Sequence, residues 1–247
     1  MATKESLLQT ETINGKRYYV IGEHKYPSVT TILGSMTDSS GLDKWRKNIG
    51  EAEADKISKF SANRGTIMHQ MIEYYLGSEK ETQKERLREA QEKIITFVEA
   101  EGFTEDELEV GRKLFYSFYN NDLFSKIGKV ISIEETIYSH QMGGYAGRVD
   151  NIYENVLSHL LILDFKTSRK RKKKEWIENY FMQIAAYFLA YWEMTGKKPD
   201  GGEIWIGVEN DEPQVFELTW DDIQEYGKKF LSLVKEYHKL NPLPQNI

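Results

Sequence analysis

Two carboxylates and an amine stand in this sequence where a folded chain places them only at a cost. Asp150 lies near the end of the stretch Tyr145–Tyr153, and Asp164 sits at the polar end of the apolar run that begins at His159. Lys166 follows two positions later, so in a strand of period two it shares a face with Asp164. Ending an apolar strand with charges of both signs is expensive unless each has a partner or a task. If the two strands are neighbours, Asp150 converges on the same point. The product would be an oxygen-ligand site for Mg²⁺ or Mn²⁺ with a cation alongside. The plainer reading is an Asp164–Lys166 ion pair, with Asp150 capping a turn.

Further polar residues recur at helical spacing. His69 shares a helix side with Thr66 and Glu73, among the apolar Met68, Ile72 and Leu76. It is either a ligand, with Glu73 fixing the imidazole tautomer, or a hydrogen-bonded packing residue. Gln183 and Tyr187 are one turn apart, so one face presents an amide and a phenol together. They would position phosphate and base, or form a polar fringe on a helix whose core face is Trp176, Tyr180, Ile184 and Tyr191. The run Arg169, Lys170, Arg171, Lys172, Lys173, Lys174 begins three residues after Lys166. That loop must lie at the mouth of the site, where it can meet phosphates. Arg148 could meet phosphate too, or form a structural ion pair. Tyr18, Tyr26, Trp45 and Arg64 are candidates to line a single-strand channel, or are plain packing residues.

Composition narrows the chemistry. The 247 residues contain no cysteine, which excludes disulfides, thiolate nucleophiles, zinc–thiolate sites and cysteine-bound iron–sulfur clusters. Any metal must be held by oxygen and imidazole. With 33 basic against 39 acidic residues the net charge is −6, so a globally basic nucleic-acid binder is excluded and the basic run is a local device. No stretch approaches a membrane span, and Met1–Gly15 lacks the apolar core of a signal peptide and the Arg-rich character of a transit peptide. A soluble protein of the cytoplasm is expected.

The elements that must position these residues follow from periodicity. Tyr18–Ile21 and Lys25–Thr30 read as a hairpin about Gly22. Helices are expected over 43–60, 64–76, 81–101 and 104–121, the second closed by Gly77 and the third by Gly102. Strands follow over 129–139, 145–153 and 159–166, then a helix over 175–195, strands over 203–208 and 214–219, and a helix over 221–239. That order predicts an α/β fold with a mixed central sheet flanked by helices. A helical N-terminal lobe, residues 1–125, would bring His69 onto a core formed by 126–247, the two making one catalytic unit.

In this order and spacing, four segments together resemble the PD-(D/E)xK nuclease superfamily in its RecB-like branch. They are Arg64–His69, Gly147–Asp150, Ile162–Ser168 and Gln183–Tyr187. Tyr26–Leu33, the tryptophan helix at Asp43–Arg46 and the basic stretch after Ser168 are similar to the mitochondrial genome maintenance exonucleases and their phage-encoded relatives. Two departures are noted. A mitochondrial targeting segment is missing, which points to a phage-infected or bacterial cell, and Val149 stands where the superfamily nominally has Pro. The resemblance implies a restriction-endonuclease-like core and a metal held by His69, Asp150, Asp164 and the Phe165 carbonyl. Asp150, Asp164 and Lys166 would be catalytic, with Lys166 orienting or helping to deprotonate the attacking water. DNA contacts are implied at Ser28, Arg64, Arg148, Gln183, Tyr187, Arg169, Lys170, Arg171 and Lys172. An imidazole ligand suits Mn²⁺ better than Mg²⁺.

The function expected is a metal-dependent DNA exonuclease, acting as a monomer on single strands with free ends. Alternatives are a structure-specific endonuclease on the same core and a non-catalytic nucleic-acid-binding module. The second usually lacks an acid or the lysine, and here Asp150, Asp164 and Lys166 are all present.

Overall fold

The computed structural model describes residues 8–36 and 40–242. It opens with an antiparallel meander of β1 (Leu8–Ile13), β2 (Lys16–Ile21) and β3 (His24–Pro27). Asn14 and Gly15 join the first two strands with φ of 51° and 74°. Both values are positive, as the tight turn that matches strand twist demands. The expected hairpin thus gains a strand and ends sooner. Val29–Met36 is a helix, α1, although its β-branched residues read as strand. Ser28 decides the matter, because its hydroxyl takes the Thr31 N–H at 2.9 Å and caps the helix.

Two more expected boundaries move. α2 (Ser40–Ile49) and α3 (Glu51–Leu76) are separated at Gly50, whose φ of 87° cannot continue a helix. Past residue 60 α3 runs on without a break, and Asn63 donates its amide to the buried Glu107 at 2.8 Å. α4 (Gln83–Glu101) and α5 (Glu105–Asn120) each begin with a reciprocal capping box, Thr82 with Glu85 and Thr104 with Glu107.

The central sheet has the order β4 (Ile127–Ser139), β5 (Tyr145–Asn155), β6 (Leu160–Ser168), β7 (Gly201–Val208) and β8 (Gln214–Leu218). All neighbours are antiparallel except β6 and β7. A parallel pair needs a crossover, and α6 (Glu178–Thr195) supplies it. α7 (Trp220–Leu240) closes the fold behind a capping box of Thr219 and Asp222. Alternation along β6 sends Ile162 into one core with α1, α6 and α7, and sends Leu163 and Phe165 into another with α3, α4 and α5. The fold is therefore mixed α/β, with a five-stranded mixed sheet between two helical layers. Among the described residues no helix is long and apolar enough to cross a membrane.

Candidate active site

The site forms where two paired strands part. The β5–β6 ladder includes Asn151↔Leu163, and that register places Asp150 opposite Asp164 at the next step. There the Asp150 carboxylate enters between the strands and accepts the Phe165 N–H at 2.7 Å. On the other side, Ile133↔Asn151 and Glu135↔Val149 place Glu134 across from Asp150. Glu134 has a φ of 52°, a conformation that a non-glycine residue rarely adopts and that is strained inside a strand. α3 lays His69 over this gap, its Nδ1 3.5 Å from Asp150 Oδ2. One donor atom each from His69, Glu134 and Asp150 lies within 4.8 Å of the others.

Asp164 and Lys166 form an ion pair on the α6 side of the same gap, as the shared strand face predicts. Gln183 donates from α6 to Asp164 Oδ1 at 3.1 Å and to the Tyr187 hydroxyl at 2.9 Å. The Tyr187 ring fits only because position 147 is glycine: a Cβ there would stand 2.4 Å from Tyr187 Cε1. Lys166 Nζ also lies 5.3 Å from the Tyr180 ring centroid.

Electrostatics follow from the burial of acids in this gap. Burial pushes Glu134 up to about 7, with Asp150 adding to the effect. It pushes Asp164 up to about 6, where Lys166 and Asp150 pull in opposite directions. Asp150 is raised as well, again by burial. Burial and the Lys166 charge drive the His69 imidazole down to about 4, leaving it neutral at pH 7 and able to donate a lone pair. Burial opposes the charge of Lys166 itself, yet Asp164 and Asp150 prevail and hold the ammonium above its ordinary range.

Most of the residues expected from the sequence divide between two regions. His69, Asp150, Asp164, Lys166, Gln183, Tyr187, Arg148 and Glu73 line one cleft of 520 Å³. Phe165 joins it through its backbone, which hydrogen-bonds His69. Arg64, Arg169, Lys170, Arg171 and Lys172 line a separate groove of 730 Å³ beside it.

Several expected partners differ. Ser28 is 1% exposed and caps α1, so it does not face the cleft; Arg17 and Thr30 beside it do. Glu73 accepts from Gln70 at 2.8 Å, while His69, whose tautomer it was expected to fix, turns Nδ1 toward Asp150. Arg148 pairs with Glu134 at 2.6 Å and keeps about half of its side chain exposed. Arg64 is 3% exposed and pairs with Glu209. Tyr18 and Tyr26 are packing residues, the first bonded to Tyr237 and the second to His140, and Trp45 is half-buried on α2.

Sequence reasoning missed Glu134, and with it Arg17 and Thr30 on the cleft wall. Glu134 and Glu135 adjoin in a β-branched strand, and alternation alone does not say which one faces Asp150. The donor set suits a hard divalent cation that accepts one imidazole, since carboxylates and a neutral imidazole converge at one point.

Comparison with known proteins adds the following. The sequence profile described as the PD-(D/E)XK nuclease superfamily matches residues 41–244. The crystal structure of SSO0001 superposes with a TM-score of 0.38 at 18% identity, over 73% of this chain and 85% of that one. A Eubacterium rectale protein named "Putative exonuclease" superposes with a TM-score of 0.42 at 12% identity, over 74% of this chain and 76% of that one. No curated protein sequence matches the chain.

Proposed function

Because this chain belongs to the PD-(D/E)XK nuclease superfamily, we propose that its cleft is a cation-dependent DNA exonuclease site that acts on single strands with free ends. The observation that carries this reading is the convergence of His69, Glu134 and Asp150 beside the Asp164–Lys166 pair, where β5 and β6 part. His69, Glu134 and Asp150 would hold the cation; Asp164, which the resemblance implies as a further ligand, is engaged instead by Lys166 and Gln183 and falls outside that cluster. A divalent cation bound there supplies Lewis acidity toward the phosphoryl oxygen. The reaction is in-line hydrolysis of a phosphodiester with no covalent enzyme intermediate.

The chain's own residues then have separable tasks. Lys166 is held as an ammonium, so it orients the attacking water and offsets negative charge at phosphorus; it is poorly suited to remove a proton. Gln183 fixes Asp164 and keeps the Tyr187 hydroxyl in place. Arg148 on β5 and Arg17 on β2, both at the rim of the cleft, receive the flanking phosphates. α3 forms one wall of the cleft, and Arg17 and Thr30 stand on another. Walls on two sides favour one strand over an intact duplex. The sequence motifs given above make the mitochondrial genome maintenance exonucleases and their phage relatives a functional analogy for this reading.

The test is digestion of end-labelled linear and covalently closed single-stranded DNA with Mn²⁺ or Mg²⁺. Shortening of the linear strand with the circle intact is expected. Equal cutting of both would turn the reading to an endonuclease, and no cutting of either would turn it to a binding module.

A further inference from the structure

Trp176 stands where helical periodicity would not leave it. Spacing sets it on the core face of α6 with Tyr180, Ile184 and Tyr191, but it is 64% exposed. The cause is local. Lys174–Trp176 forms a 3-10 turn, Ile177 follows with φ −122° and ψ 24°, and this break turns Trp176 out of helical phase. Ile177, 2% exposed, takes the core position instead.

The indole lies on the rim of the 730 Å³ groove whose wall is the loop Arg169–Lys172. Lys173 Nζ sits 5.2 Å from its ring centroid. The loop is fixed rather than loose: Ser168 donates its hydroxyl to the Lys170 carbonyl at 2.6 Å, and Lys172 N–H donates to Gln214 at 2.7 Å. Glu209, the one acid in the groove lining, is neutralised by Arg64. The groove adjoins the cleft. On α3, Gly65 lines the cleft and Arg64 the groove; on β6, Lys166 lines the cleft and Thr167 the groove.

A rigid basic channel with an exposed aromatic ring at its edge is the combination that holds single-stranded nucleic acid, cations tracking phosphates and the ring stacking on a base. We propose that Trp176 is a base-stacking platform for a single strand passing from the cleft through this groove. The proposal rests on the nuclease reading for its direction, and its test does not require cleavage.

Fluorescence anisotropy with labelled oligothymidine of about twelve nucleotides, in EDTA, is the measurement. Trp176→Ala should weaken binding on the order of ten-fold with no change in the slope of log K against log salt, because stacking releases no counterions. Trp176→Phe should recover most of the loss. A trinucleotide, too short to leave the cleft, should bind both variants and wild type alike. Wild-type affinity of Trp176→Ala for the long strand overturns the proposal, as does an equal loss on the trinucleotide. So does a Trp176-dependent attachment to anionic phospholipid vesicles with strand binding unaffected, which would make the indole a membrane anchor. A protein that binds the long strand through Trp176 but cuts nothing with Mn²⁺ leaves the platform standing and removes the exonuclease reading.

Discussion

Ionising Glu134 in the cation-free protein sets a third carboxylate against Asp150 and Asp164, with Arg148 in direct contact to answer it. Its folded-state pKa of about 7 lies above the ordinary 4.5, so between those values the folded chain holds a proton that the unfolded chain has lost. Stability from this group is full at low pH and is lost as pH rises toward 7. Asp164, at about 6, acts in the same sense. His69, down at about 4 from 6.5, acts in the opposite sense, adding stability as pH rises through that window. Glu134→Gln should isolate the first contribution. In EDTA it should be more stable than wild type by up to about 3 kcal/mol near pH 8, and by less than about 1 kcal/mol near pH 5. Urea unfolding at the two pH values checks this, and a gap independent of pH would contradict it. Catalytic roles separate at the same scale. Asp150→Ala should lose Mn²⁺ affinity by calorimetry and turnover by roughly 10³-fold or more. Lys166→Ala should keep Mn²⁺ affinity within a few-fold yet lose roughly 10²-fold or more in turnover.

Between elements, the contact of β5 with α6 is the tightest constraint on the site. Gly147→Ala would drive a methyl into the Tyr187 ring, whose hydroxyl is bonded to Gln183 and through it to Asp164. The expected cost is about 1–3 kcal/mol. It should shrink in a Tyr187→Ala background, where the ring is gone, so a double-mutant cycle read by urea unfolding should show strong coupling. Additive losses would mean that the two positions do not press on each other. This level of organisation is also where the sequence speaks most clearly. The apolar run ending in Asp164 and Lys166 reads as a strand buried on both faces, and Gln183 and Tyr187 one turn apart share a helix side. What stays hidden depends on partners far away in the chain. Glu134 becomes a site residue through its register with Asp150 and its left-handed backbone, neither of which is written in a Glu–Glu pair. Ser28 belongs to a helix because a cap outweighs β-propensity, and Trp176 leaves the core because a short 3-10 turn breaks the helical phase.

Across the whole molecule, charge is arranged so that attraction is local. The net charge is −6, yet Arg169–Lys174 holds six positive residues at one loop. At physiological salt, fields fade over about 8 Å, so the acidic body beyond that range neither helps nor hinders a strand lying in the groove. Binding strength should therefore depend on the groove's own cations and be independent of sequence. Those cations are not equivalent. Arg171 Nη1 is already 3.3 Å from Asp211 Oδ1, so it has a counter-charge before any strand arrives. Arg169, Lys170 and Lys172 should each release about 0.7 of a counterion on meeting a single-strand phosphate. Replacing these three together by Gln should lower the slope of log K against log salt by about 2. Adding Arg171→Gln should change the slope less than any one of the others, although it frees the loop from its hold on Asp211 and the Glu212 carbonyl. Titrations of oligothymidine between about 50 and 200 mM salt measure both effects. An unchanged slope in the triple variant would place the strand outside the groove altogether, and with it the path that leads from the cleft past Thr167 to Trp176.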